Sequence, residues 1–219
     1  MRKLSFAFLI FFSMSALAKR DSCQDELAVN ISKLAHKDQT NLKLSIQNLN
    51  EIVSSGLSTF VRNEKCVDDQ AVVFPHHLSA EAKRDIAFKL EVSRDDRGRV
   101  WIDRIREIPT WEQREYFDRI AKCEGLTSVI MPLPRPLLDR NEIEFPGYVQ
   151  VKLRDKHGLS VLDVMGALAR REGEPKLLYT DRGKIKRHEL FASTERGRDI
   201  KVVIGTDATG KTVSLISAY

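Results

Sequence analysis

The chain has little of what most catalytic or metal-binding motifs are made from. It holds three cysteines in 219 residues, Cys23, Cys66 and Cys123, with no CxxC pair and no Cys/His spacing of the kind that closes a zinc site, so neither a metal nor another cofactor is expected. An odd count outside the cytoplasm allows one intramolecular bridge and leaves one thiol over. Glycine and proline are sparse at 11 and 7 residues, while 42% of the chain is hydrophobic and 31% charged, which is globular rather than low-complexity composition and suits one or two domains. Charge of one sign is also lacking. The net value of +5 includes Arg2 and Lys3 at the extreme N-terminus, so the remainder is only mildly basic and pulls weakly on nucleic acid or membranes.

After the first twenty residues no long apolar run remains. Those residues, "MRKLSFAFLIFFSMSALAKR", combine a basic start, an apolar stretch from Leu4 to Leu17 and the small-x-small site Ala16-Leu17-Ala18. They read as a cleavable secretory signal cut after Ala18, because the stretch is shorter than the roughly 20 residues that span a bilayer. The expected mature chain is periplasmic or secreted and has no stable membrane insertion. The pairing expected in that oxidising compartment is Cys23 with Cys66, which flank a helical hairpin; sequence alone leaves the connectivity open.

The expected fold class is α+β. Residues 19–72 read as a helical segment, its second helix starting at an Asn41 cap, carrying Leu42, Ile46, Leu49, Ile52 and Val53 at helical spacing, and ending near Gly56 or shortly beyond. His76 and His77 read as a surface loop, since adjacent histidines point apart and no third ligand is near. "FKLEVSRDDRGRVWIDRI" alternates apolar and polar residues on both sides of an Asp/Gly-containing turn, a β-hairpin with Phe88, Leu90, Val92, Val100, Ile102 and Ile105 inward. A helix follows from a Thr110 cap, with Trp111, Phe117, Ile120 and Ala121 as its stripe and Gly125 as its end. The prolines at 132, 134 and 136 impose an extended segment, and "GYVQVKL" alternates again as a third strand.

On these residues, from "FP" at 74 and 75 through "MPLPRP", the span 73–154 resembles the C-terminal periplasmic domain of the TonB/TolA family. What the resemblance implies is a non-catalytic interaction module for an envelope or periplasmic protein, with Tyr148, Val149, Gln150, Val151, Lys152 and Leu153 as an edge strand that accepts an extended partner.

Residues 155–219 read as one amphipathic helix, with Leu159, Leu162, Val164, Met165 and Leu168 as core, followed by four strand-like runs. "TDATG" marks a hairpin turn between the last two; it lacks the glycine spacing of a phosphate-binding loop. Helix then four strands resembles the barnase, EndoU, colicin and RelE type of ribonuclease. That second resemblance implies a metal-independent ribonuclease or antibacterial toxin, RNA being a partner only in this alternative, with Lys184, Lys186, His188, Arg196 and Arg198 as its candidates.

Overall fold

A computed structural model describes residues 46–219 apart from 64, 68, 76–85, 98–99, 182–184 and 207–211. The signal segment, Cys23, the first expected helix, His76, His77 and Lys184 lie outside the described residues. The chain is α+β and divides into two compact units. The first comprises residues up to 62, 69–75 and 88–107; the second comprises 63–68, 76–87 and 108–219. The span 73–154 is thereby shared between them, its hairpin in the first unit and its Thr110 helix in the second.

In the first unit, helix α1 (Ile46–Asn63) runs a full turn and more past Gly56. Strands β1 (Gln70–Val73), β2 (Phe88–Arg94) and β3 (Val100–Glu107) form an antiparallel sheet in that order. The expected hairpin is β2–β3, and a bulge accounts for its one irregular position. Leu90 opposes Ile105 and Val92 opposes Ile102, so the extra residue Asp103 keeps both apolar pairs in step although they are three residues apart on β3. The tip is held by Asp95, which accepts from the Arg97 backbone N–H at 2.9 Å and from Trp101 Nε1 at 3.2 Å. Helix and sheet approach closely at Gly56. A Cβ built there would meet Leu90 Cδ2 at 2.3 Å and Val73 Cγ2 at 3.1 Å.

The second unit starts at the end of α1 and continues with helix α2 (Thr110–Cys123). Thr110 does not cap α2. Pro109 occupies the N-cap with no side-chain hydrogen bond, and Gln113 instead turns back to donate from Nε2 to the Ile108 carbonyl. Trp111 is 63% exposed rather than part of the stripe, which is Tyr116, Phe117, Ile120 and Ala121. Gly125 ends the helix with φ +68°, a conformation that costs other residues a Cβ clash.

The six-stranded sheet has the order β4 (Val129–Leu137), β5 (Arg140–Phe145), β9 (Val213–Ala218), β8 (Asp199–Thr206), β7 (Ile185–Ser193), β6 (Lys176–Asp181). The proline segment is the edge strand β4, with Leu133 and Leu137 inward and the prolines exposed. Proline suits an edge because its missing N–H is no loss where no neighbour pairs. Leu138 and Asp139, at φ +52° and +61°, make the two-residue turn into β5.

The third strand expected at Tyr148–Leu153 is a helix. Pro146 sets its start, α3 runs Gly147–Lys152, and a π-helical turn continues through Leu153–His157 to the left-handed Gly158. Val149, Val151 and Leu153 are completely buried, so these residues offer no strand edge to a partner. A run of three alternating apolar residues fits a short helix buried on all sides as well as a strand. Helix α4 (Val161–Arg170) is capped reciprocally by Ser160 and Asp163. Val164 and Leu168 enter the core with Ile143, Phe145, Val149, Leu153, Ile200, Val202, Ile204 and Leu215, whereas Leu162 is 73% exposed.

The disulfide expected between Cys23 and Cys66 is not the one formed: Cys66 is bonded to Cys123. Their Cα atoms are 5.5 Å apart across 57 residues of sequence, because the turn after α1 and the last turn of α2 meet in the second unit.

Two stability measurements follow. Gly56→Val is expected to lower stability by about 1–3 kcal/mol through overpacking against Leu90, even though valine is the better helix former, as read from urea unfolding. Replacing Cys66 and Cys123 together by serine is expected to remove about 4 kcal/mol on the loop-entropy relation for this separation, read as a lower urea midpoint that added reductant no longer shifts.

Candidate functional site

The chemistry-bearing side chains of the second unit gather where β9 ends. Strand β9 is paired along β8, but β5 meets it only at Glu144 and Ser214, where Ser214 Oγ donates to the Glu144 carboxylate at 2.6 Å. The rest of that edge is free for α3 and the π-helical turn. Lys152 Nζ donates to the Ile216 carbonyl at 3.5 Å, and one turn further on His157 Nε2 lies 3.4 Å from Ser217 Oγ. The imidazole stands 5.7 Å from the Tyr219 ring, and Tyr219 exchanges both backbone hydrogen bonds with Lys201 on β8, at 2.7 and 3.0 Å.

Lys201 extends this chain of contacts to β7, where it forms an ion pair with Glu189. The Glu189 carboxylate, and then Tyr219, hold the ammonium above its ordinary pKa. Arg198, in the turn between β7 and β8, reaches back and donates from Nη1 to the His157 carbonyl at 3.0 Å. That turn is built by Thr194, whose hydroxyl accepts the Arg198 N–H and whose own N–H donates to the Arg198 carbonyl, with Gly197 at φ +75°.

The turn that presents His157 is itself pinned. Arg154 makes a bidentate contact with Glu124 at 2.8 and 2.9 Å and a third bond to Asp155 at 2.7 Å, which raises its pKa. Lys156, although buried, donates to Gln113 Oε1 at 3.1 Å. Buried Asn63 donates to the Tyr116 hydroxyl at 2.8 Å and to Asp155 at 3.5 Å. The polar residues around His157 thus hold it in place from the α2 side.

The candidates read from sequence do not converge. Lys186 and His188 share a face of β7 as expected, but it is the face that Leu190 turns into the apolar core. His188 lies opposite Ile204 and Leu177, and its Nδ1 has no hydrogen-bond partner. Burial, and secondarily the charge of Lys186, push its pKa below the ordinary value, so it is neutral at pH 7. Arg196 is exposed in the β7–β8 turn, at the far end of the strand from Lys186. Of the four that are described, Arg198 touches the cluster around His157. Sequence reasoning passed over His157, Ser217, Tyr219, Glu189 and Lys201. The usable signal was a histidine just before Gly158 at a helix end, together with Ser217 and Tyr219 two residues apart at the C-terminal end of the last strand.

Among the described residues no group of three His, Cys, Asp or Glu side chains is placed to hold a metal ion, and no helix is long and apolar enough to cross a membrane. Comparison with known proteins finds no matching family model, no matching curated protein and no matching solved structure.

The sign of the His188 shift makes a stability prediction. Above the unfolded-state value near 6.5 the imidazole is neutral in both states and contributes nothing; below it the unfolded chain binds the proton first, so stability falls with pH until the lowered folded value is passed. Urea midpoints at pH 7.5 and 5.5 are expected to differ less in His188→Leu than in the parent.

Proposed function

We propose that the chain is an exported, metal-independent ribonuclease whose site is the cluster of His157, Ser217, Tyr219, Glu189, Lys201 and Arg198. The observation that carries this reading is the unbroken contact series Glu189, Lys201, Tyr219, His157, Ser217 at one end of the sheet, joined by Arg198. The order of helices followed by the antiparallel run β6 to β9, the feature behind the resemblance to barnase-type ribonucleases, supports it as well.

Cleavage of RNA by its own 2′-hydroxyl needs three things: a base to take that proton, an acid to protonate the departing 5′-oxygen, and cations to stabilise the charge that builds on phosphorus. Arg198 and Lys201 supply the cations, both at least partly accessible to solvent. Glu189 and His157 supply the acid and base pair, with Ser217 and Tyr219 fixing the imidazole. A carboxylate base competes with its own ion pair to Lys201, so the substrate phosphate has to draw Lys201 away to free it.

Export is read from the N-terminal segment and is supported by the Cys66–Cys123 bridge, since disulfides persist mainly in oxidising compartments. The reading as an envelope interaction module rested on a strand at Tyr148–Leu153, which is a buried helix.

The test incubates total RNA with the mature protein in excess EDTA. Cleavage leaving 2′,3′-cyclic phosphate ends is expected, lost by a factor of about 100 or more in His157→Ala and in Lys201→Ala, and retained in His188→Ala. Intact RNA at every protein concentration would sink the proposal, as would activity that follows His188 rather than His157.

A further inference from the structure

Cys66 and Cys123 flank the two contacts that grip the π turn from outside. Asn63, three residues before Cys66, donates from Nδ2 to the Tyr116 hydroxyl at 2.8 Å and to Asp155 at 3.5 Å. Glu124, the residue after Cys123, takes the bidentate contact of Arg154. Arg154 and Asp155 lie in the turn that ends on His157, and every one of these residues belongs to the second unit. The bond therefore ties together the two segments against which the turn is braced. The sheet core, from Leu133 to Ala218, contains none of them. Cys123 is exposed and Cys66 half-buried, so Cys123 is the partner open to attack from solvent.

We propose that the Cys66–Cys123 disulfide is a redox latch on the π turn: a dithiol reductant opens it, the sheet stays folded, and His157 loses its fixed place beside Ser217. The claim concerns the position of His157 and stands whether or not the cluster around it cleaves RNA. One thiolate of the reductant attacks Cys123 Sγ, the S–S bond breaks, and Cys66 leaves as a thiolate. The second thiol then displaces Cys123, so that two electrons and two protons pass to the cysteines and the reductant becomes a disulfide. The turn after α1 is then no longer tied to α2, and Asn63 comes away from Tyr116 and Asp155. Opening of this kind is local, because the six-stranded ladder and the helix α4 packed on it keep their own contacts. In an oxidising compartment the latch is shut and in a thiol-rich one it opens, so His157 is presented only where the bond persists.

The test treats the full mature chain with dithiothreitol and then with diethyl pyrocarbonate, and reads carbethoxylation of each histidine by mass spectrometry. His157 is 8% exposed, and His188 on β7 serves as the reference within the same molecule. Reduction is expected to raise the His157 rate about tenfold or more and to leave His188 unchanged. Asn63→Ala, with the bond intact, should raise the His157 rate by about threefold or more without reductant. The Cys66→Ser, Cys123→Ser double variant should react as fast as the reduced parent and ignore dithiothreitol. An unchanged His157 rate on reduction or in Asn63→Ala would overturn the proposal. So would an equal rise at both histidines, or a double variant that does not fold, because each makes the bond a requirement of the fold rather than a latch.

Discussion

The geometry of the second unit turns on strand β9 having a full ladder on one side only. β5 touches it at a single bridge, Glu144 with Ser214, and β5 then leaves at Pro146. Unpaired backbone groups inside a protein are costly, so the segment that follows has to cover the edge. It does so as α3 and one π-helical turn rather than as a strand, and the wider turn ends with His157 beside Ser217. π-Helical turns of this kind recur at functional sites because they displace one side chain from the ordinary helical track. Had residues 147–153 formed a strand, they would have paired along β9 and His157 would have been carried past its end.

The same requirement explains the buried polar residues between α2 and the π turn. Asp155 and Lys156 turn their side chains inward and each is met by a partner, Asn63 for Asp155 and Gln113 for Lys156, while the more exposed Arg154 is held against Glu124. A buried charge without a partner would cost several kcal/mol, so Gln113 and Asn63 are better explained by Lys156 and Asp155 than by any helix-capping role. Cys66 and Cys123 close this region covalently, three residues beyond Asn63 and one before Glu124.

Those pairings also show what could be read from the chain and what could not. The β2–β3 hairpin, α2, α4 and the four C-terminal strands were legible because each carries a periodicity long enough to separate period 2 from period 3.6. Residues 147–153 were not, since three alternating apolar residues are compatible with either. Trp111 and Leu162 sit on helices whose other apolar residues already fill the buried face, so their exposure depends on helix rotation, which spacing alone leaves open. The β4–β5 turn escaped notice because Leu138 and Asp139 take positive φ without glycine or asparagine to announce it. The candidate site was less legible than the fold. Lys186 and His188 were correctly placed on one face of a strand, but which face meets the core depends on β8 and α4, far away in sequence.

The two faces of the six-stranded sheet carry different side chains. The helix-side face is an apolar core from Leu133 to Ala218, and His188 lies on that face with its charge suppressed. The opposite face carries the Glu189 and Lys201 pair, with Phe191 5.8 Å from the Lys201 ammonium and 70% exposed. On that face Phe191 is exposed, Glu189 and Lys201 are half-buried, and Val203 and Ser217 are buried. Arg198 approaches from the turn at the strand ends and Tyr219 from the end of β9. On the ribonuclease proposal, a phosphate near Lys201 would be flanked by Phe191, by Arg198 and by the π turn that holds His157, and a change that lets that turn relax would withdraw the histidine.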